Sequence, residues 1–301
     1  MAFLSPYVRV GAQPINWIND DFKDLGKDTT LDQCLSEMKA AGYDGSELGH
    51  RFADDAAAIR ASLEKHGLRL VSGWHSTFTA LGDHEVEERS FVRHARKLQA
   101  CGCDVVIVAE CTQAIHGDGA SPLRFAPGRA LLGEAAWARM CTGLDRLAHV
   151  ARSMGMKAAY HPHMGTVVQD ASDVDALMAS TSALSLLLDA GHLQFAGADP
   201  LAVLARHGER VAHVHAKNIR PAVVAQARAR SWTFEQSVRA GAFTIPGDPE
   251  GGVDFISLFG ALAALEYRGW VVVEAEQDPA KANPLEYATR ARAFLRRHAG
   301  I

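Results

Sequence analysis

Eight times along this chain a short run of strand length, apolar in several cases, gives way to a helical pattern, and no shift in composition separates one repeat from the next. The strand-length runs fall at 8–13, 44–48, 68–73, 104–109, 156–160, 184–188, 211–216 and 270–273. The helical patterns fall at 31–41, 54–66, 86–100, 134–153, 170–180, 199–207, 254–265 and 284–298. Runs such as DVVIVA at 104–109 are apolar throughout, as strands covered on both faces are. Eight such repeats predict an α/β fold, a single (β/α)8 TIM barrel domain spanning residues 1–301. The alternative, a doubly wound open sheet, calls for a Gly-rich turn after the first strand, where GAQPIN stands instead. Two stretches interrupt the rhythm. Residues 112–133 read as a long loop over one face, and 221–252 as irregular with some helix.

Composition narrows the partners. The net charge of −4 comes without any Lys/Arg cluster, which argues against a nucleic acid. No apolar run approaches the ~20 residues that a membrane helix needs, and MAFLSPYVRVG does not read as a signal peptide. Five cysteines, at 34, 101, 103, 111 and 141, are an odd count in a long chain and read as reduced thiols. These features predict a cytoplasmic protein.

In a barrel of this kind the site forms where the strands end. Residues able to bind metal or substrate follow nearly every strand: Asn16 and Trp17, Glu47, His75, Glu110, His161 and His163, Asp189 and His192, His213, His215 and Lys217, Glu274 and Glu276. Asp189 follows SLLL directly, as a metal ligand or as the cap of the next turn. His215 lies nearer its strand end than His213 and is the better ligand; His213 reads as a core histidine. Glu274 follows VVV, where an unpaired carboxylate would be costly to bury. Glu276, two residues on, is its rival. Either His161 or His163 completes the set. Imidazole with carboxylate suits Mn²⁺, Fe²⁺, Co²⁺ or Zn²⁺ better than Mg²⁺ or Ca²⁺. His66, His84, His94, His149 and His298 fall on helical patterns and read as surface or packing residues.

DAGH at 189–192, HVHAK at 213–217 and GWVVVE at 269–274 resemble the later strands of the xylose-isomerase-like TIM barrels, the superfamily of sugar phosphate isomerases and epimerases and of endonuclease-IV-type enzymes. PINWINDD at 14–21, TLDQCLSEMKAAGYDGSELG at 30–49, AYHPHMGTVVQ at 159–169, FTIPGD at 243–248 and VVVEAEQDPAKA at 271–282 narrow the resemblance to the inosose dehydratases. It implies a hydro-lyase of myo-inositol catabolism. Such an enzyme removes water from 2-keto-myo-inositol to give a trihydroxycyclohexane-1,2-dione, with Mn²⁺ or Co²⁺ and an association with glutathione. The metal would sit on His161, Asp189, His215 and Glu274. The base would be Glu274 or Glu276, and the acid His163, His192 or Lys217. Asn16, Trp17, Glu47 and His75 would contact the cyclic polyol ketone. Barrels of this kind often pair, so a homo-oligomer is an expectation. His161 stands where isomerases and epimerases of the superfamily usually carry Glu, which weighs against the alternative of a two-base sugar isomerase or epimerase. A non-catalytic polyol sensor is a further alternative.

Overall fold

The computed structural model describes residue 4, residues 6–125 and residues 132–301. Eight parallel strands form the sheet: β1 Arg9–Ala12, β2 Gly45–Ser46, β3 in two segments (Arg69–Leu70 and Trp74–Thr77), β4 Val105–Glu110, β5 Lys157–Tyr160, β6 Ser185–Asp189, β7 Val211–Ala216 and β8 Trp270–Val273. Their order runs from the first segment of β3 through β2, β1, β8, β7, β6, β5 and β4 to the second segment of β3. The hoop closes because β3 changes partner midway. Val71 N donates to Ser46 O of β2 (2.9 Å), and Ile107 N of β4 donates to Gly73 O (3.1 Å). The α/β barrel expected from the eight repeats is thus the observed fold.

The helices are α1 Leu31–Ala41, α2 Ala56–Glu64, α3 His84–Ala100, α4 Glu134–Ser153, α5 Ala171–Ser180, α6 Ala190–Ala196, α7 Pro200–His207, α8 Pro221–Ala229, α9 Phe234–Arg239, α10 Phe255–Ala264 and α11 Pro284–Ala299. Their boundaries follow local chemistry. Thr30 caps α1, its hydroxyl accepting from Gln33 N, and Gly42 ends α1 at φ 93°, a conformation that suits glycine. Asp170 and Asp173 cap α5 reciprocally. Arg292 on α11 donates to Gly42 O (2.7 Å) and Tyr43 OH donates to Ala288 O (2.9 Å), which ties the last repeat to the first. Among the described residues no helix is long and apolar enough to cross a membrane.

One expectation needs correction. The third strand does not end at Gly73 but continues through Trp74–Thr77. A Cβ at Gly73 would meet Leu48 and Leu98 at 3.1 Å, so this glycine serves close packing rather than a stop. Residues 221–252 are ordered: α8 and α9 lie there, and Phe243–Thr244 pairs antiparallel with Asn218–Ile219. A short helix, α6, follows β6 at once. Of the loop at 112–133, residues 126–131 lie outside the described residues.

Strand alternation divides the core. Val106 and Val108 of β4 and Val271 and Val273 of β8 face the helices, in the main apolar cluster. Val105, Ile107, Ala159, Leu187 and Ala212, with Val71, Trp270 and Val272, form separate small clusters. These are the barrel's inward positions, and on β7 a register irregularity, with Leu186 pairing Val211 and Leu187 pairing His213, brings His213 inward directly after Ala212. Two residues further along each strand, the inward positions become His161, Asp189 and Glu274. On β7 the inward series is His213, His215 and then Lys217.

Candidate active site

Four inward side chains converge above this apolar layer. His161, Asp189, His215 and Glu274 are buried, and one ligand atom of each lies within 4.8 Å of the others. His161 Nε2 and His215 Nδ1 each stand 3.4 Å from Asp189 Oδ2, and His215 Nδ1 contacts Glu274 Oε2. The remaining polar atom of every member is already engaged. His161 Nδ1 donates to Pro162 O (3.0 Å). Asp189 Oδ1 accepts from His192 N (2.8 Å), capping α6. His215 Nε2 lies 3.2 Å from Glu47 Oε1, and Glu274 Oε1 accepts from Lys217 Nζ (3.0 Å). Asp189 Oδ2, His215 Nδ1 and Glu274 Oε2 are left buried without a hydrogen bond. Buried polar atoms without partners are costly. Three such atoms, converging with His161 Nε2 and carried on side chains that each have a supporting contact, fit a divalent cation.

Lys217 is fully buried beside this cluster. Its ammonium reaches Glu276 Oε1 (2.8 Å), Glu274 Oε1 (3.0 Å) and Asp189 Oδ2 (3.5 Å). Desolvation opposes its charge, but the three carboxylates prevail and raise its pKa. Carboxylates rather than other cations surround it. His192 Nε2 stands 2.9 Å from the same ammonium. Burial, then His163 and Lys217, push His192 down to about 3. Burial also takes His163 to about 3, with Glu276 opposing. Both rings are neutral at ordinary pH. They lie nearly in contact, with centroids 3.8 Å apart, and Glu276 Oε1 approaches both.

The cluster opens into a cavity of about 470 Å³. Of the residues expected there, Glu47, His161, His163, His215, Glu274 and Glu276 line it. Glu47 also orients histidines: its Oε1 accepts from Ser72 Oγ (2.7 Å) and faces His213 Nε2 (2.8 Å) as well as His215. Asn16, Trp17 and His75 do not line it, so their assignment as substrate contacts is corrected. Asn16 Oδ1 accepts from Ala275 N (2.8 Å) and braces the loop after β8. Trp17 is fully buried among apolar side chains, its indole donating to Glu37 (2.7 Å). His75 stacks on His94, between β3 and α3. Glu110 accepts from Thr77, Thr79 and Thr112 and ties loops together.

Other lining residues went unnoticed in the sequence. Trp74 presents its ring edge-on to His161 and His163 (centroids 5.5 and 5.7 Å) and donates from its indole to Ser76. Strand alternation from Trp74 to Ser76 is the signal that would have found this pair. His116, from the long loop, packs on His163 with centroids 4.9 Å apart. Gln13, Asp20, Asp21 and His50 form the wall after β1 and β2, where Asp20 Oδ1 meets His50 Nδ1 at 2.5 Å. The five cysteines are free.

Comparison with known proteins agrees with the fold and narrows the family. The model of the xylose isomerase-like TIM barrel family matches residues 35–298. The inosose dehydratase of Clostridium botulinum (strain Alaska E43 / Type E3) is 40% identical over 301 residues, covering 99% of this chain and 100% of the relative. That of Bacillus thuringiensis (strain Al Hakam) is 40% identical over 296 residues and covers 98% of each. Among solved structures, D-allulose 3-epimerase from Methylomonas sp. superposes with a TM-score of 0.65 at 18% identity, over 99% of both chains. An L-ribulose 3-epimerase does so with a TM-score of 0.67 at 16% identity, over 97% of this chain and 95% of that one. The structural neighbours share the barrel; the sequence relatives share the barrel and the whole length. The chain belongs to the inosose dehydratase family of hydro-lyases, within the xylose isomerase-like TIM barrels.

Proposed function

We propose that this enzyme removes water from 2-keto-myo-inositol, as a step of myo-inositol breakdown in the cytoplasm. In this reading the reaction depends on Mn²⁺ or Co²⁺ held by His161, Asp189, His215 and Glu274. The observation that carries it is the convergence of four buried ligand atoms, each on a side chain whose other polar atom is already engaged. Two nitrogens and two carboxylate oxygens suit those ions. A divalent ion there supplies Lewis acidity to the substrate's ketone and a neighbouring hydroxyl.

The chain's own groups do the rest. Glu274 Oε2 belongs to the converging quartet, so Glu276 is the better base. Its Oε2 is buried and lacks a hydrogen-bond partner among the described residues. Lys217 pins the other oxygen and fixes its direction. Neutral His163 lines the cavity and offers a hydrogen bond to a ring hydroxyl without adding charge, while the nitrogens of His192 face Met164 N and Lys217 behind it. Trp74 closes one wall against water. Glutathione, in this reading, keeps the metal and the free thiols reduced.

The test is direct. Chelator-stripped protein is given 2-keto-myo-inositol with and without Mn²⁺ or Co²⁺. Product mass and dione absorbance are followed. Ion-dependent loss of one water supports the reading; an isomer of unchanged mass sinks it.

A further inference from the structure

We propose that Asp21 is the catalytic acid, handing a proton to the departing hydroxyl from the part of the cavity wall that follows β1. This rests on the dehydration reading above. Six carboxylates line the cavity, and five of them hold an ion pair: Asp20, Glu47, Asp54, Glu274 and Glu276. The carboxyl of Asp21 has no hydrogen bond or ion pair among the described residues, and it is open to the cavity.

The turn that carries it is nevertheless fixed. Asn19 is fully buried, and its Oδ1 accepts from Asp21 N (2.9 Å) and Phe22 N (2.7 Å). Phe22 anchors the turn in the core beside Phe234, with ring centroids 6.2 Å apart. A free acid on a rigid turn, facing a polyol cavity, has the geometry of a group kept for the substrate.

The surroundings favour its protonated form. Desolvation acts first, then Glu276, Asp20 and Glu274 disfavour the carboxylate, while Lys217 favours it; the balance is upward, to about 7, although the residue is exposed on the cavity side and the neighbouring carboxylates are the firmer cause. An acid in that range holds and releases a proton near neutrality. The groups expected as acids are placed otherwise, with the Lys217 ammonium bound to three carboxylates and the His163 and His192 rings packed together.

The step balances. Glu276 takes the proton from the carbon next to the ketone, and the C–H pair becomes the new C=C bond. The C–O bond one carbon further breaks, its pair staying on oxygen. That oxygen takes the Asp21 proton and leaves as water. Asp21, now a carboxylate, is reprotonated from solvent through the cavity, and Glu276 releases its proton the same way.

The experiment compares wild type with Asp21→Asn, both full-length and metal-loaded, on two substrates. One is 2-keto-myo-inositol. The other is its analogue with fluorine in place of the departing hydroxyl, because fluoride leaves without a proton. Asp21→Asn is expected to lose about 100-fold or more in turnover on the natural substrate, with KM and metal stoichiometry within about twofold. It is expected to release fluoride within about tenfold of wild type. Equal loss on both substrates, or unchanged dehydration, overturns the role of Asp21 alone. A wild-type enzyme that releases no water from the inosose overturns the dehydration reading and this role with it.

Discussion

At the scale of single residues, Asp189 answers both readings that its place in the sequence allows. One oxygen caps α6 through His192 N, while the other joins the quartet. The two roles separate by substitution. Asp189→Asn retains a carbonyl oxygen for the cap, so the thermal stability of the chelator-stripped protein should change little while bound metal falls to under about a tenth of an equivalent by plasma emission analysis. Asp189→Ala loses the cap as well, which costs about 1 kcal/mol more in urea unfolding. Lys217→Met tests the other side of the site. It leaves Asp189, Glu274 and Glu276 without their buried counter-charge, and the unfolding free energy should fall by about 3–5 kcal/mol. The quartet was legible in the sequence, down to the choice between His161 and His163, because its members stand at or near the ends of apolar strands. Asp21 was not, because nothing in INDD distinguishes a solvated loop acid from one kept free at a cavity wall. Trp17 misled for the converse reason: a polar neighbourhood in the sequence surrounds a side chain that the fold turns into the core.

At the scale of elements, the glycine of DAGH has a packing cause. A Cβ at Gly191 would stand 2.5 Å from Lys217 Cγ, so the first turn of α6 must be bare for the lysine stem to pass. Gly191→Ala should therefore cost about 1–3 kcal/mol and reduce turnover together with stability, by assay and by melting. The second segment of β3 and α3 share a buried pair, His75 and His94, with ring centroids 5.3 Å apart. Burial lowers both to about 4. A histidine depressed in the fold is neutral there, so its contribution is fully present above the unfolded value near 6.5 and is lost as pH falls toward 4. Urea midpoints should drop between pH 7 and 4.5, and His75→Phe should flatten that drop. The strands and long helices were legible because periodicity and caps mark them. Between 221 and 252 only some helix was legible, not the bounds of α8 and α9, which lie close together with a short connection and no long periodic face to separate them.

At the scale of the whole molecule, an ion that binds only the folded barrel must stabilise all of it. At a hundred times its Kd, added Mn²⁺ or Co²⁺ should stabilise the chelator-stripped enzyme by about 2.7 kcal/mol, read as a rise in Tm, and Asp189→Asn should show almost none of it. The barrel itself was legible because eight alternations leave few other ways to bury eight apolar strands; how the ring closes was not, because closure is a register property that no local pattern encodes. That closure passes through residues 71–73, where β3 lets go of β2 and takes up β4. The ring therefore has a clasp. The clasp also carries Trp74 and Ser76 into the cavity wall. Slackening it would unseat that wall before the strands elsewhere give way. The amide of Val71, inside the barrel but beside the clasp, should then exchange with deuterium sooner than those of Val106 and Val108, mid-strand in β4. A slower Val71 would mean that the hoop is as firm at its join as anywhere else.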